Sequence, residues 1–361
     1  MKVLYDHQAF NYLTYGGLAR YTYELIRQAL KNKTLEVSLF AGIYRPEWEI
    51  KQFRKDCSFF YGIKRPDIAI HNKIFGILNR ILLTVYCSTS KFDVYHPTLF
   101  QYLNPFHKGK FIYTVHDLLG DVYPDYIGKS ITAKLIRQVA PKATKILAVS
   151  NNTKIDLIER LKIPEEKIVV TYIAGALKRE VTEEQIVKGN YILHVGARIG
   201  HKNFVRLLSA YNHSEYLKNN FKLVNFGMSI TTKEEKEYLE KNKLTDKILF
   251  VSGGDILLSN LYKYASVFVF PSLYEGFGIP PLEAMKYGCP IVVSNRSSLP
   301  EVVGDAGLYF NPEDEEELIE KLELLLCDSL LRNDLIAKGL IQEKKFSWEK
   351  CFKETLAVYN E

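Results

Sequence analysis

The chain has 361 residues, 47% of them hydrophobic and 25% charged, with a formal net charge of +6. That length accommodates two domains, and the composition excludes a disordered or collagen-like chain. No run reaches the roughly 20 apolar residues that span a bilayer. The opening MKVLYD lacks the apolar core of a signal peptide, and the five cysteines are scattered with no C-x-x-C pair. Neither a zinc site nor a disulfide framework is indicated, and a reducing cytoplasm is the expected compartment. The charge is unevenly spread: residues 1–175 carry 25 Lys and Arg against 15 Asp and Glu, the rest 23 against 27. A basic N-terminal half suits an acidic partner, with a scattered solvated surface as the plainer alternative. No recognition motif or dense arginine run points to nucleic acid.

Strands and helices alternate along the chain, which predicts parallel sheets wrapped by helices. In the first half, strands are expected over 2–6, 36–40, 93–96, 111–116, 145–150 and 168–172. Helices are expected over 18–30, 131–140 and 153–161, with Ser150 or Asn151 as N-cap of the last. The stretch 73–87, KIFGILNRILLTVYC, mixes long apolar residues with Lys73 and Arg80. An apolar stripe usually faces a core, so a core helix is the favoured reading and a membrane-surface helix the alternative. The polar stretch 177–189 reads as a linker. A second series of strands follows over 191–196, 222–226, 248–251, 267–270 and 291–294. An acidic helix begins near Asp314, and Trp348, Phe352 and Leu356 recur at helical spacing in the last segment as a core-facing stripe. No sequence repeat is visible.

Several segments carry candidate chemistry. The stretch 268–291, FVFPSLYEGFGIPPLEAMKYGCPI, reads as strand, glycine-rich loop, short helix opened by Pro280 and Pro281, and strand. Such a loop is expected to leave backbone N–H groups unpaired at a helix N-terminus, which suits an anionic or polyhydroxylated ligand. Glu275 and Glu283 bracket it and could accept from sugar hydroxyls. An ordinary βα turn is the structural alternative. Arg198 and Lys202, in YILHVGARIGHKNFVRLL, lie beyond a strand at the mouth of a helix. Arginine can clamp a phosphate bidentately, and lysine adds a point charge. No Asp-x-Asp occurs to hold a divalent cation, so no metal site is expected. Gly16 and Gly17 precede an amphipathic helix, where a ligand could approach the backbone. No G-x-G-x-x-G is present, which disfavours a dinucleotide cofactor. His116 and Asp117 end a strand, where α/β folds place ligands.

The E-x7-E spacing of Glu275 and Glu283, with the continuation SNRSSLPEVVGDAGLYFNPED, resembles the family 4 retaining glycosyltransferases. So do the G-x-R…K pattern at Arg198 and Lys202 and the glycine pair near the N-terminus. The resemblance implies an α/β GT-B fold of two doubly wound, Rossmann-like domains facing across a cleft. The implied division is an acceptor-side domain over 1–176, a donor domain over 177–345 and a last helix, 346–361, returning to the first domain. It implies a metal-independent transferase that moves a sugar from a nucleoside diphosphate donor to an acceptor hydroxyl with retention. Under it, His116 and Glu275 act at the reacting sugar, and Gly17, Arg198 and Lys202 hold the diphosphate. Gly276, Phe277 and Gly278 meet the sugar, and Val251 and Glu283 the nucleoside. The nucleotide-sugar is a substrate, and no cofactor is expected.

Here the chain departs from the pattern at Gly253 and Gly254 after the 248–251 strand, and at TYIAGAL, where the family more often has an asparagine-glycine turn. The opening MKVLYDHQAFNYLTYGGLARY is similar to bacterial-type surface-polysaccharide mannosyltransferases, which makes GDP-mannose the favoured donor. A glycan or lipid-linked acceptor and peripheral contact with an anionic inner membrane face go with that reading. A nucleotide-sugar epimerase and a non-catalytic nucleotide-sugar-binding subunit are the alternatives on the same fold.

Overall fold

The structure, a computed structural model, describes residues 1–13, 16–45, 47–65, 72–99, 106–107, 109–124, 131–175, 177, 181–198, 200–227 and 232–361. Thr14 and Tyr15 of the glycine loop, the Lys73 side chain and residues 178–180 of the 177–189 stretch lie outside them. The chain divides into two compact units, one of Met1–Ile173 with Ser347–Glu361, the other Ala174–Phe346.

The first unit is built on seven parallel strands: β1 (Lys2–Tyr5), β2 (Glu36–Tyr44), β3 (Phe59–Lys64), β4 (Val94–His96), β5 (Lys110–Val115), β6 (Lys145–Ala148) and β7 (Ile168–Val170). Their order is β3-β2-β1-β4-β5-β6-β7. The second unit has six: β8 (Tyr191–Val195), β9 (Lys222–Phe226), β10 (Ile248–Val251), β11 (Val267–Phe270), β12 (Ile291–Ser294) and β13 (Leu308–Phe310), in the order β10-β9-β8-β11-β12-β13. Both are doubly wound α/β sheets, as expected. The central strands are buried on both faces, so they read as continuous apolar runs. Sequence reading passed over β3 and β13 because neither forms a long apolar run: β3 is broken by Gly62 and ends on Lys64, and β13 has three residues.

Two helices differ from expectation in instructive ways. The final helix, Trp348–Asn360, buries Trp348 and Phe352, but Leu356 is half-buried. The inner face is completed by Cys351, Thr355, Val358 and Tyr359 instead. Ser347 caps its first turn by accepting from the Lys350 N–H at 3.1 Å. The helix Asn72–Thr89 does pack on the core, through Leu83 and Cys87 with Leu82 and Tyr86 against them, but not by the face with most of its long apolar residues. It turns its polar residue inward: Asn79 is fully buried, accepts from the Ile43 N–H at 2.7 Å and donates to the Ile43 carbonyl at 3.1 Å. Gly42, at φ +62°, makes room, since a Cβ there would lie 2.5 Å from Asn79 Oδ1. With Asn79, Leu83 and Cys87 facing the sheet, Ile74, Ile77, Leu78, Ile81 and Val85 face outward.

Buried histidines make both units acid-sensitive. Burial lowers His96 and His194 to about 3 and His116 to about 4. An unfolded histidine titrates near ~6.5, so between that value and the folded pKa the unfolded chain binds more protons. Stability from these groups is therefore complete above about pH 6.5 and declines as the pH falls toward about 3. Thermal unfolding across this range should show a falling midpoint, and His96→Gln, which cannot titrate, should flatten the slope. A midpoint that does not move between neutral and mildly acidic buffer would sink this account.

Candidate active site

In the second unit the winding reverses between β8 and β11. Doubly wound sheets bind ligands in the crevice at the carboxyl ends of the strands where the order reverses. The loop after β8 carries Arg198 and Lys202, and the loop after β11 carries Glu275. The fold thus brings Lys202 and Glu275 together from positions 73 apart, with Arg198 on the same loop as Lys202.

The β8 loop leaves its strand through Gly196, at φ +142°, whose N–H donates to the Phe226 carbonyl at 2.9 Å. Gly227 passes so close that a Cβ on it would lie 2.5 Å from the Gly196 oxygen. Arg198 follows and is 8% exposed. Its Nε and Nη2 donate to Glu235 Oε1 and Oε2 at 2.6 and 2.9 Å, and its Nη1 donates to Asn225 Oδ1 at 3.1 Å. The guanidinium carbon lies 4.1 Å from the Phe250 ring centroid. Asn225 Nδ2 in turn contacts His194 Nδ1 at 2.8 Å. Glu235 also closes the capping box of the helix Lys233–Lys241, accepting from the Thr232 N–H at 2.9 Å. The Arg198 hydrogen bonds hold its carboxyl below the usual range. Sequence reading missed both Asn225 and Glu235. The Thr-x-x-Glu spacing from Thr232 marks a capping box, but nothing local says that its glutamate also clamps an arginine.

Lys202 Nζ donates to Glu275 Oε1 at 2.7 Å across the switch point, with the two side chains 21% and 13% exposed. A second bond joins the loops, from the Leu273 N–H to the His201 carbonyl at 2.8 Å. The Glu275 N–H is not left open as expected: it donates to Ser297 Oγ at 2.8 Å, and Ser297 Oγ donates back to the Glu275 carbonyl at 2.6 Å. Ser298 Oγ donates to the Phe277 carbonyl at 2.7 Å. These serines, from the loop after β12, fix the shape of the glycine-rich loop and were not among the expected residues. Phe277 is 4% exposed with its ring edge-on to Phe346 at 5.7 Å, so its side chain belongs to the packing. Gly278, at φ +110°, caps the helix Ile279–Lys286, and a Cβ there would lie 2.9 Å from Leu299 Cδ2.

Glu283 lies inside that helix and is buried. Its Oε2 accepts from Tyr262 Oη at 3.4 Å. Burial, reinforced by the charge of Glu283, drives the Tyr262 hydroxyl well above its ordinary range. Gly175 of the TYIAGAL segment lies over Glu283, and a Cβ on it would be 3.3 Å from Glu283 Cγ. The departure noted there is thus a fitted close approach. Val251 ends β10, but its carbonyl accepts from the Gly227 N–H at 2.8 Å. That bond ties the loop after β9 to the end of β10 and uses one of the two lone pairs of the oxygen.

In the first unit, Gly16 at φ +98° caps the helix Gly17–Lys31, with open space where a Cβ would be. Tyr21 of this helix sets its ring edge-on to His116, centroids 4.7 Å apart. Behind it runs a buried chain of polar groups: Tyr21 Oη to Thr114 Oγ1 at 2.9 Å, Thr114 Oγ1 to His96 Nε2 at 2.8 Å, His96 Nδ1 to Tyr359 Oη at 2.5 Å, and Tyr359 Oη to Tyr5 Oη at 2.9 Å. The helix that follows Gly17 and the strand end at His116 therefore share one rigid mount. Asp117 caps the next turn, accepting from the Leu119 N–H at 3.0 Å. Among the described residues, no group of three His, Cys, Asp or Glu is placed to hold a metal ion.

Arg198 and Lys202 have the chemistry to hold a diphosphate, yet each is paired with a carboxylate here. An anionic ligand would enter by exchange, displacing Glu275 from Lys202 or sharing Arg198 with Glu235. Charge-assisted bonds of this kind are the strong ones, so the exchange sets the affinity.

Comparison with known proteins accords with this geometry. Residues 15–173 match the model described as Glycosyltransferase Family 4, and residues 178–341 match Glycosyl transferases group 1. The chain is 30% identical to O-antigen chain mannosyltransferase B of Escherichia coli, over 99% of each chain. Among solved structures it is similar to a sucrose-phosphate synthase from Thermosynechococcus elongatus, with TM-score 0.78 and 18% identity over 100% of this chain and 98% of that one. It is also similar to HepE of Anabaena in complex with UDP and glucose, with TM-score 0.74 and 16% identity over 100% of both chains. Both neighbours have the GT-B fold. The chain therefore belongs to the GT-B glycosyltransferases, pairing a family 4 domain with a group 1 domain.

Proposed function

We propose that this glycosyltransferase moves mannose from GDP-mannose to a hydroxyl of a glycan or lipid-linked acceptor, with retention at the anomeric carbon and without a metal ion. The observation that carries the reading is the Lys202–Glu275 pair at the β8/β11 switch point, beside the Arg198 cluster. It sets a phosphate-binding cation and a hydroxyl-accepting carboxylate against each other. The donor diphosphate takes the place of the Glu275 carboxylate at Lys202, and the released carboxylate accepts from the sugar hydroxyls. One exchange then assembles both halves of the donor site. Charge that develops on the leaving diphosphate is met by Arg198 and Lys202. The absence of any Asp-x-Asp supports the metal-free reading.

Glu283, fixed in its helix, takes the nucleoside end, and the backbone at Gly276 and Gly278 meets the sugar. His116, neutral at physiological pH because burial lowers it to about 4, contributes a hydrogen bond and no charge at the reacting face. Gly17 opens the helix that shares its mount. Mannose is favoured by the likeness to the O-antigen mannosyltransferase, which extends over the full chain. The first unit has the acceptor role, and the basic balance of residues 1–175 suits an anionic acceptor at the cytoplasmic face of a membrane.

A donor screen that measures released nucleotide tests the substrate, with GDP-mannose expected to give the highest rate. Turnover should survive EDTA; loss on chelation with recovery on adding magnesium would overturn the roles of Arg198 and Lys202. Lys202→Ala should cost about 2–4 kcal/mol of transition-state stabilisation, the scale of one lost charge-stabilising donor.

The two glutamates should separate. Glu283→Gln should weaken binding of free nucleoside diphosphate and intact donor alike, as lost uniform binding does. Glu275→Gln removes the anion that competes for Lys202, so free nucleotide should bind as well as before or tighter while kcat falls. Calorimetry with the nucleotide and steady-state rates with the donor decide this. The reverse pattern would mean that the roles of loop and helix are exchanged.

A further inference from the structure

The helix Asn72–Thr89 presents to solvent the side one would expect it to hide. Ile74, Ile77, Leu78, Ile81 and Val85 are 40–61% exposed and lie on one face, at spacings of three and four residues. From Ile74 to Val85 the stripe runs about 17 Å along the axis at ~1.5 Å per residue. Isolated exposed apolar residues need no explanation, but a contiguous apolar patch of this kind marks an interaction surface. The orientation is not loosely set. Asn79 is anchored to the backbone of Ile43 on β2, and Leu83 and Cys87 are fully buried, so the helix cannot roll to hide the stripe without breaking both Asn79 hydrogen bonds.

The charges around the stripe indicate what covers it. The helix contains no Asp or Glu. Arg80 is exposed at the flank of the stripe, one helical turn from Ile77, and Lys91 is exposed just beyond the helix end. The Arg65 guanidinium lies 5.8 Å from the ring of Phe75 in the first turn, and Lys64 is exposed next to it. On the adjacent edge strand, Ile63 is 53% exposed. A second copy of the chain would meet this face through a two-fold axis, which sets the same cations against one another. A surface that is apolar inside and anionic at its boundary satisfies both features at once. Interfacial helices bind such surfaces with an apolar face sunk to the acyl boundary and cations at headgroup level.

We infer that the outer face of the helix Asn72–Thr89 is the surface by which the chain docks on an anionic lipid bilayer. The inference rests on the reading above in placing the acceptor at a membrane, and it names the surface that makes the contact. Insertion is shallow: no helix among the described residues is long and apolar enough to cross a bilayer. Apolar burial supplies the residence, and Arg65, Arg80 and Lys91 supply the preference for anionic lipid.

The test is sedimentation of the full chain with sonicated vesicles, either of phosphatidylcholine alone or of phosphatidylcholine mixed with phosphatidylglycerol. The parent chain should pellet with the mixed vesicles, with added salt weakening binding only in part, since screening leaves the apolar contribution in place. The double variant Ile77→Glu/Ile81→Glu should lose binding by about tenfold or more, the cost of setting two carboxylates against apolar and anionic surface. Both positions are exposed, so the variant should keep the parent's unfolding midpoint. The companion Arg80→Gln/Lys91→Gln should still bind but lose the preference for mixed vesicles.

Release of nucleotide from donor in lipid-free buffer, measured on the same preparations, should be equal for parent and variants. Failure of the parent to turn over any donor would count against the proposed function and leave the vesicle result to be judged separately. Equal pelleting of parent and Ile77→Glu/Ile81→Glu would overturn the docking surface. So would a parent that is a dimer in lipid-free sedimentation and becomes a monomer on the same substitutions, because the stripe would then belong to a second copy.

Discussion

Parallel pairing is the constraint from which the rest of this molecule follows. A strand in a parallel sheet can be joined to its neighbour only by a crossover, so all carboxyl ends gather on one edge and all returning chain on the other. In the second unit the crossovers turn one way from β8 through β9 to β10 and the other way from β11 to β13. At the join, the loops after β8 and β11 leave side by side. The ion pair between Lys202 and Glu275 is what the chain places there. The first unit repeats the scheme, reversing between β1 and β4.

Around the proposed donor site the charges are balanced in the absence of any ligand. Arg198 is matched by Glu235 and Lys202 by Glu275. A pair of uncompensated cations in this half-buried setting would carry a desolvation cost and attract any anion. Under the exchange proposed here, a ligand must offer more than one phosphate oxygen to outcompete a carboxylate already in place, and must then reward the displaced Glu275 with hydroxyls. Specificity obtained by exchange has the advantage that free phosphate gains little. Rigidity complements this. Asn225, Glu235, Ser297 and Ser298 do not face a ligand-like role themselves, yet they hold Arg198 and the glycine-rich loop in one shape, and preorganisation of that kind keeps stabilising groups in position without reorganisation during reaction.

The first unit shows a different economy of polar groups. Five side chains, from Tyr5 through Tyr359, His96 and Thr114 to Tyr21, are joined by hydrogen bonds in the interior. Buried polar groups are tolerated only when partnered, and a complete chain of them fixes rotamers that apolar packing alone would leave looser. Because Tyr359 comes from the last helix, that helix is tied to the same mount as His116. The helix Asn72–Thr89 uses the same principle in reverse: a single satisfied asparagine fixes its roll, and the isoleucines are left outside.

Much of this was legible in the sequence. Alternating apolar runs and amphipathic stretches determined two parallel α/β sheets, and the central strands fall where their β-branched runs lie, because strands buried on both faces must be apolar throughout. The order of Glu275, Gly276, Gly278 and Glu283 marked the loop and helix, because glycine and proline fix backbone geometry locally. The cationic residues after β8 were legible by type. Tertiary structure alone decided what each of them touches. Nothing local announces that Arg198 meets Asn225 and Glu235, that Phe277 packs on Phe346, or that the Val251 carbonyl accepts from the Gly227 N–H, because these partners lie many residues apart and are joined by sheet order. The roll of the helix Asn72–Thr89 was undecidable for the same reason. Its apolar stripe and Asn79 compete for the interior, and only the carbonyl and N–H of Ile43, beside a glycine that leaves space, settle which of them goes in.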